Sequence, residues 1–284
     1  MNHRSRSPVG IHWWKDRAPE LLFGFAMSFL GLFWLAVFLI DIVNPADYRV
    51  EVFERVTGLP AVFFWGFREG GPVERAQWML LGTTAVLCAS VALIARRRRT
   101  PGLILTFLVG VLGFMLMLME DALNVRYWIA FELAVPLLEG DPMILRSLSD
   151  LAVYSLLASL MLFFFLRVHA LGGNHLRFRR HLWLGYAAYG VAALASATRY
   201  IGDYYERVGV YLLRRISPDL LDAFQPGWGI DQELVGFWFM DLFLEESLEL
   251  VGASALCAAI LRIWILNREG EVGRPEPGKQ QVEA

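Results

Sequence analysis

The sequence predicts an all-α fold: a polytopic membrane helix bundle with six transmembrane helices and short interfacial helices in the outer loops. Three observations predict it. Of the 284 residues, 56% are hydrophobic and only 19% are charged, whereas about a quarter of a soluble chain is charged. The apolar residues come in blocks of roughly twenty, the length a helix needs to cross a hydrocarbon layer about 30 Å thick. The basic residues crowd into short stretches between alternate blocks, as cytoplasmic loops do. The same composition excludes a disordered chain, a disulfide scaffold and a basic nucleic-acid binder.

Six segments meet the length test: 20–43, 76–95, 102–125, 149–170, 182–201 and 236–265. The first has an apolar run longer than a signal-peptide core and no A-x-A site after it, so it reads as a retained helix. The third and sixth are long enough to tilt or to project from the membrane. Arg4, Arg6, Lys15 and Arg17 precede the first segment. Arg96, Arg97, Arg98 and Arg99 fill the loop between the second and third. Arg167, Arg177, Arg179 and Arg180 mark the junction of the fourth and fifth, and Arg262, Arg268, Arg274 and Lys279 close the sixth. With six crossings these 16 of the 26 basic residues fall on one side. Both termini are therefore expected in the cytoplasm of a cell membrane, the inner one where there are two. Residues 1–19 form the N-terminal segment, 20–270 the transmembrane domain and 271–284 a disordered cytoplasmic tail. The lipid bilayer is the expected partner; membrane-protein partners or a homo-oligomer are compatible with the sequence, and nucleic acid is not.

The outer connections carry structure of their own. Residues 61–67, AVFFWGF, read as a short interfacial or re-entrant element. Residues 203–224 read as an amphipathic helix lying on the bundle and broken at Pro218, with Tyr204, Val208, Tyr211, Leu212 and Arg215 recurring at helical spacing. Small residues repeat on the fifth segment (Ala188, Ala192, Ser196) and on the sixth (Gly252, Ala255, Ala259), a pattern that lets helix backbones approach closely in lipid. Nine of the ten tryptophans fall at or near segment ends, where an aromatic belt is expected.

Several chemistries are excluded. The only lysines, Lys15 and Lys279, lie in polar terminal segments, so a buried Schiff base and a P-loop are both out. Cys88 and Cys257 sit singly inside apolar blocks and read as packing residues. No histidine lies mid-membrane to ligate haem or activate Ser254, and no Glu-x-x-His di-iron pattern occurs.

The informative stretch is Asp241-Leu-Phe-Leu-Glu245-Glu246-Ser-Leu-Glu249. On an ideal helix Glu245, Glu249 and Glu246 fall about 40°, 80° and 140° from Asp241. Four acids thus share one arc of an apolar helix, in the outer half of the membrane. The third segment brings Glu120 and Asp121 to the same level, and Asp150 and Asp203 are expected nearby. Arg126, Arg146, Arg199 and Arg207 are the cations in reach, with Arg126 and Arg199 the preferred charge partners. A buried acid near a helix centre costs about 2.5–3.5 kcal/mol on insertion scales. Eight acids and four arginines cannot all pair, so the remainder must be protonated, hydrated or bound to a cation.

Three readings follow. Glu120, Asp121, Asp241, Glu245, Glu246 and Glu249 line a cavity that binds or transports a cation or proton, or a proton-coupled small solute. A resident metal would be a divalent cation with oxygen ligands. Alternatively the chain is an intramembrane enzyme acting on a lipid or quinone, or a structural or accessory subunit whose acids form a salt-bridged seam.

Overall fold

The computed structural model describes residues 9–129, 132, 142–171, 176–199 and 202–269. Among them every regular element is a helix. Five stretches are long and apolar enough to cross a membrane: Arg17–Val43, Val62–Arg97, Pro101–Leu123, Leu148–Leu171 and Gln232–Glu269. The all-α membrane bundle stands, but with five such stretches instead of six. The segment at 182–201 is the one that falls short. It belongs to a helix, Leu176–Thr198, whose first turns hold three arginines and a histidine and whose remainder is rich in Gly, Ala and Ser. The expected tail, 271–284, lies outside the described residues.

Helix α1 (Val9–Ala36) starts eleven residues before the predicted boundary and runs through Pro19, where polar sequence gives way to apolar. It continues as a π-helical turn, Val37–Val43, that ends at Asn44 in the left-handed conformation, φ 44°. The wide turn carries Asp41, which is fully buried. Its Oδ1 accepts from the N–H of Val62 and its Oδ2 from the N–H of Phe63, both at 2.8 Å. Those groups open the short helix α2 (Val62–Phe67), whose first N–H groups have no partner within the helix. Arg49, also buried, donates to the Asp41 carbonyl at 3.2 Å and to that of Asp219 at 3.3 Å. The element expected at 61–67 therefore exists and is tied into the protein. Phe63 and Phe67 pack against Phe224, Phe239 and Phe243, not against headgroups.

Helices α3 (Pro72–Arg97) and α4 (Pro101–Leu123) form a tight antiparallel hairpin, each opened by a proline at its first position. The arginine run makes the turn. Arg98 reaches Asn267 Oδ1 at 3.5 Å and the Arg268 carbonyl at 3.4 Å, at a helix C-terminus, where cations are favoured. Helices α5 (Pro142–Leu171) and α6 (Leu176–Thr198) follow.

The outer amphipathic region is α7 (Tyr204–Ile216) and α8 (Pro218–Asp222), broken at Pro218 as expected. Its buried stripe differs from the predicted one. Tyr205, Gly209 and Leu213 face inward, while Val208 and Tyr211 are exposed. Gly209 sets this face: its backbone lies against the backbone of Gly236, and no side chain would fit between them.

Helix α9 (Gln232–Trp238), the π-helical turn Phe239–Glu245 and α10 (Glu246–Glu269) make one continuous stretch of 38 residues. This is far more than a crossing needs, so its N-terminal part projects outward. Helix α10 is the centre of the bundle, packed against α1, α3 and α6, and it is buried on all sides from Gly252 to Ile260. The small-residue faces of α6 and α10 meet here. A side chain on Gly185 would lie 2.6 Å from Leu256 Cγ, and one on Gly252 would enter the Tyr189 ring. Cys88 and Cys257 are buried and unbridged. Phe25, Leu32, Leu105 and Leu156 are exposed on the outside, where lipid replaces water.

Asp41→Ala would leave two buried N–H groups of α2 without an acceptor. The expected loss is about 2–4 kcal/mol, read as a lower unfolding temperature in detergent. An unchanged unfolding temperature would remove Asp41 as the tie between α1 and α2.

Candidate functional site

All six acids singled out in the sequence line one cavity of about 40 Å³. Three structural elements deliver them. Helix α4 brings Glu120 and Asp121, with Asn124 just past its end. The π-helical turn brings Asp241 and Glu245, and α10 brings Glu246 and Glu249. Arg199 comes from the end of α6. Two further acids join them from the start of α3, Glu69 in the preceding loop and Glu74 in the first turn. Among the described residues, eight carboxylates and one guanidinium thus surround a space with room for a few water molecules.

The π-helical turn matters to this convergence. A wider turn changes the angular step between residues, so the ideal-helix arc does not carry over to Asp241 and Glu245. The backbone places Asp241 against Arg199 and turns Glu245 toward α7. π-Turns of this kind are frequent at functional sites.

Polar partners divide the cluster into parts. Asp241 forms an ion pair with Arg199. Glu245 accepts a hydrogen bond from the Tyr205 hydroxyl at 2.7 Å. Burial, and then the Glu245 carboxylate beside it, push the Tyr205 phenol well above its ordinary range, so it donates as a neutral group. Glu74 accepts from the Gly70 N–H at the turn into α3. At the centre is Gln77, fully buried. Its Nε2 donates both hydrogens, one to Asp121 Oδ2 and one to Glu249 Oε2, each at 2.7 Å. One neutral amide therefore joins α3, α4 and α10.

Of the expected cations, Arg199 lines the cavity and pairs with Asp241. The side chains of Arg126 and Arg146 lie outside the described residues. Arg207 is exposed and pairs with Asp203 at 3.5 Å, away from the cavity. Asp150 is buried but does not line the cavity. Among the described residues no three His, Cys, Asp or Glu side chains are placed to hold a metal ion.

Glu69, Glu74, Gln77 and Tyr205 were missed in the sequence. Glu74, Gln77, Leu81 and Thr84 recur at helical spacing and are all buried, a polar stripe at the start of an apolar helix. Starting the second segment at residue 76 hid Glu74 in the loop. Tyr205 was missed because the buried face of α7 was assigned one position away.

The electrostatics are severe. Two unit charges about 5 Å apart repel by roughly 3 kcal/mol at an effective dielectric of about 20. Taking a charge from water costs several kcal/mol more. Among the described residues one guanidinium faces eight acids, too little to offset them if all were ionised. The chain matches no protein-family model, no curated protein and no solved structure.

Replacing Gln77 by Leu removes the donor shared by Asp121 and Glu249 without changing the formal charge. The expected cost is about 2–4 kcal/mol, measured by thermal unfolding. Stability equal to that of the parent would mean the amide bridge is not needed to hold the two acids together.

Proposed function

We propose that this multi-pass membrane protein binds and releases protons in its carboxylate-lined cavity, as the proton-handling part of a carrier. The observation that carries this reading is the imbalance, among the described residues, of eight carboxylates against one guanidinium around about 40 Å³. Such a cluster is stable only with bound positive charge, and a proton is the cation that fits best here. Ca²⁺ takes six to eight oxygens and Mg²⁺ a near-ideal octahedron. No three acids among the described residues are grouped for either. Asp121, Glu249 and Glu245 are instead held by neutral donors, Gln77 and Tyr205, which bond to an oxygen of either a carboxylate or a carboxylic acid and add no charge of their own. Among the described residues of the cavity, the salt-bridged seam is represented by the ion pair of Asp241 with Arg199.

The same reading takes α6 as a sixth crossing, carried through the bilayer against α10 on its small-residue face. Both termini then lie in the cytoplasm of a cell membrane, and the acidic cavity opens toward the outer side.

Linkage gives the test its sign. If the folded cavity binds more protons than the unfolded chain, stability falls as pH rises. The purified protein is therefore expected to lose unfolding temperature from mildly acidic to alkaline pH, and Glu246→Gln and Glu249→Gln flatten that dependence. Millimolar Ca²⁺, Mg²⁺ or Mn²⁺ at fixed pH is expected to leave it unchanged. A rise of the kind mass action gives, about 2.7 kcal/mol at a hundred times Kd, would replace the proton with a divalent cation. A pH-independent unfolding temperature would contradict both.

A further inference from the structure

A second cavity, of about 500 Å³, shares Glu120, Asp121 and Glu249 with the first and is otherwise almost wholly apolar. It lies between α4, α5, α6 and α10. Along α5 its lining runs from Tyr154 to Leu166, a span of about 18 Å at 1.5 Å per residue. Phe165, Trp183 and Tyr186 close the end opposite the acids. Its rim opens sideways between α5 and α6, where Leu162, Leu166 and Trp183 are about half exposed. The volume lies in the range of small-molecule sites. Its long, apolar shape with polar groups at one end describes an amphiphile.

The charge at the polar end selects the head. Three carboxylates face the cavity there, and among the described residues no Lys, Arg or His lines it. A phosphate or carboxylate head would meet like charge in a low-dielectric site. That disfavours the ordinary phospholipids around the bundle. An ammonium group would be attracted, and it would displace a proton from the cluster as it entered.

We propose that this cavity binds a single-chain membrane amphiphile with a primary amine head, its tail between α5 and α6 and its ammonium group against Asp121, Glu120 and Glu249. The proposal rests on the reading that these acids bind exchangeable positive charge. Gly190 offers a way to separate the two. It lines the apolar part, and nothing lies within 4 Å of where its side chain would be. Gly190→Phe would therefore fill the tail site without touching an acid.

The test uses the full chain in nanodiscs of zwitterionic lipid and a twelve-carbon alkylamine carrying a diazirine on its chain. The same chain with an alcohol or a carboxylate head serves as the comparison. Saturable labelling by the amine is expected on residues 157–166 and 183–193. It should exceed labelling by the carboxylate by about tenfold, the effect of one charge-assisted hydrogen bond. Glu249→Gln should weaken it, and Gly190→Phe should abolish it while leaving the pH dependence of stability intact. Equal labelling by all three heads, or labelling that survives Gly190→Phe, would overturn the proposal and reduce the cavity to a lipid-filled groove. If pH dependence persists alongside that result, the proton reading stands alone. If the parent shows no pH dependence, the proton reading falls, and head-selective labelling would then report a fixed-charge amine site.

Discussion

The end of the bundle where α4 finishes and α10 begins is built around acids that lipid cannot solvate. Helix α10 is buried on all sides along much of its length, and it begins with Glu246 and Glu249 directly after a π-helical turn carrying Asp241 and Glu245. Each of these groups demands a polar partner, and the partners dictate which helices pack where. Gln77 is the most constraining: two hydrogens on one amide fix the spacing of α3, α4 and α10. Tyr205 draws α7 down onto the bundle, and Arg199 draws in the end of α6. Below this layer the requirement is different. There, Gly185 against Leu256 and Gly252 against Tyr189 bring backbones together by size alone, and dispersion replaces hydrogen bonding as the cohesive term. The acidic layer supplies orientation, and the layer below it supplies close packing.

A similar device operates at the periphery. Asp41, from the end of α1, caps α2 with two backbone hydrogen bonds, and Arg49 ties the intervening loop to Asp219. Phe63 and Phe67 of α2 then pack with Phe224, Phe239 and Phe243 in one aromatic cluster. Both buried carboxylate systems include acids in a π-helical turn, Asp41 in Val37–Val43 and Asp241 and Glu245 in Phe239–Glu245. A wide turn lets a side chain leave the regular helical register and reach a partner that an α-helix would not present.

Much of this was legible in the sequence, for physical reasons that differ by feature. Block length and arginine placement gave the long apolar helices, because hydrocarbon thickness and the positive-inside bias act on composition alone. The six acids were legible because a charge in an apolar block needs a reason to be there. Gln77 was not, since an uncharged amide near a helix end costs little and draws no notice. Its importance comes from the two helices it meets, which only the tertiary structure supplies. The buried face of α7 was misread by one position because Gly209, which decides it, carries no hydrophobic signal. The sixth crossing was counted from 182–201, yet α6 holds its place by packing on α10, and its own composition does not reach that of the other five. The 500 Å³ cavity was also invisible to periodicity, since it is a gap left between four helices.

The central claim is that the cavity holds protons because its acids cannot all be ionised together. The most direct measurement is infrared spectroscopy of the carboxyl C=O stretch across pH, comparing the parent with Glu246→Gln and Glu249→Gln. Free side-chain carboxyls ionise near pH 4. The account predicts protonated-carboxyl bands that persist at neutral pH and shrink in each variant. Bands that vanish entirely by about pH 5, with no difference between the parent and the variants, would contradict it.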